Sequence, residues 1–142
     1  MARALLVVEA GGALFGVEAP LVREIVPARA MTRLPGAPPH VRGLLNVRGT
    51  LVTVVALSTR FGRWDVSSVE SSVESSVVIV VTGSRALGLL VDDVQEIHVF
   101  EDDQLLPPPS EDGEGLVRAL GHFGARVVLE VDVLELVRQT LA

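Results

Sequence analysis

Between Val41 and Leu57 the chain reads Val-Arg-Gly-Leu-Leu-Asn-Val-Arg-Gly-Thr-Leu-Val-Thr-Val-Val-Ala-Leu. Two apolar runs rich in β-branched residues flank the dipeptide Arg48-Gly49, with Asn46 just upstream. Such residues fit a pleated, half-buried surface, and Gly49 supplies the positive φ that a tight turn between strands requires. The stretch therefore predicts a β-hairpin. A hairpin has no need of arginine at its apex, and an arginine on an arbitrary turn is usually just solvated. Held on a rigid turn, however, a guanidinium is a permanently charged fork of five donors, suited to grip a partner's carboxylate or carbonyl.

The chain has 142 residues, enough for one good core or two small cores packed together. Hydrophobic residues make up 49% and aromatics only 4%, so the core must be built from Val, Leu, Ala and Ile. Residues stiff at χ1 favour sheets. All twelve basic residues are arginine and the net charge is −6. That balance argues against nucleic acid, whose phosphates need a basic face, and equally against an anionic membrane surface. With no cysteine, disulfides, thiolate catalysis and thiolate metal sites are excluded. The purest apolar run, Val77 to Val81, is far short of the roughly 20 residues that cross a bilayer. Glu9 and Gly11-Gly12 interrupt the apolar start before a signal-peptide core is complete. A cytoplasmic location is expected.

Along the chain, Ala4–Glu9 and Ala13–Val17 read as a hairpin closed around Gly11-Gly12. Pro20 fits the first turn of a short helix over Pro20–Val26. Met31–Leu34 is expected to be a strand ended by the Pro-rich loop Pro35 to Pro39, and a helical turn around Leu57–Phe61 follows the Arg48-Gly49 hairpin. Val66 to Ser76 repeats Ser-Ser-Val-Glu and reads as a linker between two halves. Val77–Thr82 with Ala86–Val91, and Leu116–Phe123 with Arg126–Val131, read as further hairpins separated by an acidic, Pro-rich loop from Glu101 to Glu114. A C-terminal helix follows, with Asp132 and Glu135 at capping-box spacing.

The chain also repeats itself. Gly16-Val17-x-Ala19-x-x-Val22-Arg23-Glu24-Ile25 aligns without gaps on Gly88-Leu89-x-Val91-x-x-Val94-Gln95-Glu96-Ile97. Further on, Arg42-x-Leu44 meets Arg118-x-Leu120 and Leu51-Val52 meets Val127-Val128. One repeat alone would have a marginal core, so two small barrels or half-barrels packed face to face are expected.

No catalytic constellation emerges. His40, His98 and His122 form no metal-binding motif. Asp92-Asp93 and Glu101-Asp102-Asp103 lack the alternating spacing of a calcium loop. The serines of the repeat lie in no nucleophile elbow, and Gly11-Gly12 lacks the spacing of a phosphate loop. No metal or cofactor is expected, and a rigid, acidic, β-rich module suits binding by its surface.

At this point the residues resemble a known family. Leu14-Phe15-Gly16-Val17, then Val22-x-Glu24-Ile25, Thr32-Arg33-Leu34-Pro35, Val41-x-Gly43 and Asn46-Val47-Arg48-Gly49 are similar to CheW-type chemotaxis coupling proteins. The likeness continues through Val77-Val78-Ile79-Val80, Gly88-Leu89-Leu90-Val91-Asp92-x-Val94, Leu116–Gly121 and Val127–Val133, which is almost the whole chain.

The resemblance implies a mostly β fold of two five-stranded SH3-like barrels around a continuous hydrophobic core, short helices and no catalysis. It implies a non-enzymatic adaptor that couples chemoreceptors to a CheA histidine kinase in two-component signal transduction, at membrane receptor arrays. The implied partners are the regulatory domain of the kinase, which has the same fold, and the cytoplasmic tip of the receptor. Carried over by residue, Arg48, Asn46 and Gly49 match the coupling motif, Val22 and Glu24 match the receptor-facing surface, and Gly88 matches a glycine of the second barrel. The chain departs from the family pattern at Thr53 and Ala56, where Pro and Asp are usual, a difference that bears on partner choice. No receiver or phosphotransfer region accompanies the motif, so a stand-alone adaptor is expected. A flagellar system, a gliding or pilus system, and a ligand-binding β-barrel of the same architecture remain open at this stage.

Overall fold

A computed structural model describes residues 1–29, 31–62, 75–108 and 115–141. Ten strands dominate: β1 (Ala2–Ala10), β2 (Ala13–Glu18), β3 (Val22–Pro27), β4 (Val41–Val47), β5 (Thr50–Ala56), β6 (Ser76–Thr82), β7 (Arg85–Val91), β8 (Asp93–Glu101), β9 (Val117–Phe123) and β10 (Arg126–Val131). Two helices accompany them, α1 (Leu57–Arg60) and α2 (Val133–Leu141). At the start of α2 the Glu135 N–H donates to Asp132 Oδ1 at 3.0 Å, so Asp132 caps the helix as its spacing predicts.

The strands form two five-stranded sheets, β8-β1-β2-β10-β9 in barrel A and β3-β6-β7-β5-β4 in barrel B. The two repeats do not map one to each barrel. The first repeat gives hairpin β1–β2 to barrel A but β3, β4 and β5 to barrel B, and the second repeat does the reverse. Each barrel thus holds a hairpin from one repeat at its centre and three strands from the other. The repeated Ser-Ser-Val-Glu segment lies outside the described residues except at Ser75 and Ser76, and the elements on either side of it, β5–α1 and β6, both belong to barrel B.

The register shows how closely the repeats correspond. Gly16 pairs with Val7 and Glu130, while Gly88 pairs with Ile79 and Val54. Pairing shifts by one residue in β3 between Val22 and Glu24, and in β8 between Val94 and Glu96. It shifts again in β4 between Val41 and Gly43, and in β9 between Val117 and Ala119. The bulged residues are Arg23 and Gln95 at one repeat position, Arg42 and Arg118 at the other. A bulge bends its strand and re-aims the side chains beside it.

The apolar runs follow from this layering. β1 and β6 are buried on both faces, which is why Leu5-Leu6-Val7-Val8 and Val77-Val78-Ile79-Val80 are continuous rather than alternating. Leu5, Val7, Leu14, Phe100 and Val128 fill barrel A; Leu45, Val52, Val54, Val77 and Ile79 fill barrel B. The opposite faces of the same strands, among them Val8, Phe15, Val55, Val78 and Leu89, meet between the barrels with Leu136 and Val137 of α2. Burying one such side chain contributes about 1.5–3 kcal/mol.

Two expected elements differ. Pro20 opens a single 3-10 turn over Ala19–Leu21, and the rest of the expected helix, Val22–Pro27, is an edge strand with strictly alternating burial. Its β-branched residues gain more from pairing with β6 than from a helix that would stand alone. The strand expected at Met31–Leu34 contracts to one bridge, Thr32 to Leu44. That bridge brings the Thr32 carbonyl oxygen within 2.3 Å of where a Cβ on residue 43 would stand, so Gly43, at φ 150°, admits no side chain.

Candidate functional site

Val47 and Thr50 are paired, so the loop between β4 and β5 is the two residues Arg48 and Gly49. Their φ values are 51° and 84°, the doubly left-handed geometry of a type I′ turn, whose twist matches a hairpin. Among the described residues Arg48 alone has a positive φ without being glycine. That conformation costs an L-residue roughly 1–2 kcal/mol, and such outliers persist where the surroundings hold them. Here Asn46 does so: its Oδ1 accepts the Gly49 N–H at 2.8 Å.

From this apex the Arg48 side chain reaches back across the sheet. Its Nη1 donates to Glu24 Oε2 at 2.7 Å, with Arg48 79% exposed and Glu24 19%. Glu24 follows the bulge at Arg23, which sets its direction. A pair so open to solvent adds little stability, about 0–1 kcal/mol. Its effect is orientation. The guanidinium is pinned through one nitrogen, and the rest of the fork faces outward over an open groove of about 390 Å³ between β3 and β4. The floor is apolar, with Val26, Leu45 and Val47; the walls are Glu24, Asn46, Arg48 and Arg29.

The structure brings together Asn46, Arg48, Gly49 and Glu24, four of the six residues singled out in the sequence. Val22 lies at the start of β3, half-buried against the core between the barrels, and does not line the groove. Gly88 is not on the surface. It sits in the middle of β7, where a Cβ would meet Val77 Cγ1 at 2.7 Å and Val54 Cγ2 at 3.2 Å. Its place is a packing position inside barrel B. Sequence reading missed Arg29, Val26, Leu45 and Val47, because they join the site only when β3 and β4 face each other across the barrel opening. No local pattern marked it: Val22–Pro27 alternates in burial but not in residue type, with Glu24 half-buried and Ile25 exposed.

No group of His, Asp and Glu able to hold a metal ion occurs among the described residues. Among the described residues one charged side chain is fully buried, Glu130 inside barrel A, bonded by Arg3 Nη2 at 2.7 Å with Arg118 at 4.0 Å. Burial pushes its carboxyl above the ordinary 4.5, against the two guanidiniums that pull it down, while Glu18 and Asp132 add to the rise. This cluster is in the other barrel from the groove and takes no part in it.

The fold matches known proteins. The scaffolding protein TtCheW from Thermoanaerobacter tengcongensis superposes with a TM-score of 0.83 at 24% identity, over 94% of this chain and 86% of that one. The Chemotaxis protein CheW of Klebsiella aerogenes is 28% identical over 134 residues, 92% of this chain and 79% of that protein. The Chemotaxis protein CheW of Rhizobium meliloti is 34% identical over 107 residues, 75% of this chain and 67% of that protein. The family model of the CheW-like domain matches residues 4–141. The two five-stranded barrels are the SH3-like pair of that fold, and the chain belongs to the CheW-like family of chemotaxis scaffold and adaptor proteins.

Proposed function

We propose that the chain is a non-enzymatic adaptor that couples chemoreceptors to a CheA-type histidine kinase. The observation that carries this reading is the turn at Arg48. An arginine is held in a left-handed conformation by Asn46, is aimed by Glu24, and stands over an apolar groove. An interface anchor has that anatomy, a charged fork beside apolar surface that a partner can cover. The barrel interiors are filled by the chain's own side chains, mostly Val and Leu, which favours surface binding over a ligand held within a barrel. Glu24, matched to the receptor-facing surface, lines the same groove as Arg48 of the coupling motif, so the groove is assigned to coupling, with the kinase regulatory domain and the receptor tip as the two partners.

Co-elution with the regulatory domain of the CheA-type kinase on a sizing column tests the reading. A complex is expected with the native chain and is lost with Arg48→Ala. Saturable binding of a small molecule together with no affinity for kinase or receptor would overturn it in favour of a ligand-binding barrel.

A further inference from the structure

Arg42 and Arg118 hold the same repeat position, the bulged residue of β4 and of β9. In barrel A the arginine is answered by carboxylates. Arg118 Nη1 donates to Glu18 Oε1 at 2.5 Å and lies 4.0 Å from Glu130 Oε2. In barrel B neither carboxylate occurs. The repeat puts Leu90 where barrel A has Glu18, and Val54 where it has Glu130. Among the described residues Arg42 has one neutral bond, from its Nη2 to Thr59 Oγ1 at 3.2 Å.

A second guanidinium stands beside it. The Thr32–Leu44 bridge lays the chain across Gly43, so that Arg33 Cα is 3.4 Å from where a Cβ on residue 43 would be. Arg33 and Arg42 then line one pocket of about 210 Å³, with Leu34, Pro38, Pro39 and Val41 as its apolar walls. Two turns brace the loop. The Ala37 N–H donates to the Leu34 carbonyl at 3.2 Å, and the Val41 N–H to the Pro38 carbonyl at 3.0 Å. Among the described residues Arg33 makes no ion pair. The one carboxylate described in the segments of barrel B (19–62 and 75–91) is Glu24, and it is held by Arg48 at the far end of β4. The strand carries Arg48 about 20 Å from Arg42, and the two pockets share no lining residue. Like charges gathered on one concave surface raise its potential and draw an anion to it.

We infer that the Arg33–Arg42 pocket binds a carboxylate side chain on an acidic segment of a partner protein. Barrel A holds the precedent within the same molecule, since the arginine at this repeat position is there bonded to Glu18. A guanidinium offers a carboxylate two parallel donors. The apolar walls suit the methylene stem of Asp or Glu and an apolar residue beside it, which a mineral anion would leave uncovered. Prolines at 35, 38 and 39 restrict the loop in advance, so little freedom is lost when the pocket fills. The site lies outside the Arg48 groove and adds to the coupling reading without resting on it.

Nitrogen-15 NMR of the full chain, following the Nε–Hε signals of its arginines, tests the inference. The probes are acetyl-Leu-Glu-Glu-Leu-amide, its neutral twin acetyl-Leu-Gln-Gln-Leu-amide, and inorganic phosphate. The acidic peptide is expected to shift the Arg33 and Arg42 signals saturably. It should bind at least about tenfold tighter than the twin or phosphate, because charge-assisted forks are the stronger bonds. Arg33→Gln and Arg42→Gln should each weaken it by at least about tenfold. Thr59→Glu should do the same, by giving Arg42 a carboxylate within the chain, as Glu18 does for Arg118. Both arginines are exposed, so the Gln variants should keep the native melting temperature, which separates lost binding from lost fold. Equal affinity for the neutral twin overturns the inference. So does phosphate binding as tight as the peptide, full affinity in any of the three variants, or no saturable shift. Peptide shifts confined to Arg48 would place the ligand in the other groove and overturn it too.

Discussion

Glu130 and Val54 hold the same position in two copies of one motif. Each is the parallel-strand partner of the glycine at the centre of its barrel, Glu130 opposite Gly16 and Val54 opposite Gly88. Both are fully buried. One repeat has filled the place with a methyl-bearing side chain, while the other has filled it with a carboxylate bonded to Arg3.

This difference gives barrel A a pH dependence that barrel B lacks at that position. The folded carboxyl of Glu130 is raised above its ordinary 4.5 by burial. Between those two values the folded chain binds more protons than the unfolded one, so stability falls as pH rises. The contribution is fully present below the ordinary carboxylate value and is lost as pH passes the raised folded value. Glu130→Gln removes this slope. Denaturant titrations of both proteins across mildly acidic pH should show the native chain losing stability relative to the variant as pH increases, and parallel curves would refute it.

Arg48 separates binding from folding. Arg48→Ala should change stability by no more than about 0.5–1 kcal/mol, because an exposed turn side chain buries little. Arg48→Gly should be at least as stable as the native chain, since glycine adopts φ 51° without strain. Both variants should bind the kinase domain or the receptor tip more weakly by about 2 kcal/mol, roughly 30-fold. Arg48→Lys should be weak too if the contact is a planar fork. Melting temperature and kinase affinity measured on the same samples decide the matter. A variant that folds and binds normally makes the turn merely a turn.

Gly88→Ala should act the other way. The new methyl would stand 2.7 Å from Val77 Cγ1 in a filled barrel. Overpacking of this kind costs about 1–3 kcal/mol. A lowered melting temperature with unchanged affinity of the folded fraction is expected. Full stability with lost binding would instead put Gly88 in the interface.

Exchange of hairpins between repeats makes the halves interdependent. Cleavage between α1 and β6 leaves the first fragment with a hairpin lacking its barrel and a barrel lacking its centre, and the second fragment likewise. Neither fragment should melt cooperatively by circular dichroism, and an equimolar mixture should recover the native spectrum and a cooperative transition. Two fragments that each fold alone would contradict the topology.

Much of this was legible in the residues. The Arg48-Gly49 hairpin, the apolar runs of β1 and β6 and the repeat around Gly16 and Gly88 are local patterns, and each appears in the structure where the pattern places it. What escaped was non-local. In β3 the burial alternates but the residue types do not, with Glu24 half-buried and Ile25 exposed, so Val22, Ile25 and Val26 mimic a helical stripe behind Pro20. The hairpin exchange leaves no mark on any segment, because the same strands with the same burial would build two adjacent barrels equally well. Glu130 was visible only as one acid within the apolar run Val127 to Val131, and nothing local reveals that Arg3 lies across from it. The groove beside Arg48 needs β3 and β4, which pairing does not join directly.

The exchanged hairpins have a mechanical consequence. In a molecule of two beads on a string, the angle between the beads is set by side chains and can relax. Here the chain passes from one barrel to the other at Ala19–Leu21 and back at Asp92, and the strands that follow each crossing are stitched into the new sheet by backbone hydrogen bonds. Swinging the barrels apart would have to strain both crossings at once and expose the apolar layer between the barrels. The direction in which Arg48 points relative to β8 is therefore fixed like the arms of a carpenter's square, and whatever docks on one arm is held at a set bearing to whatever docks on the other.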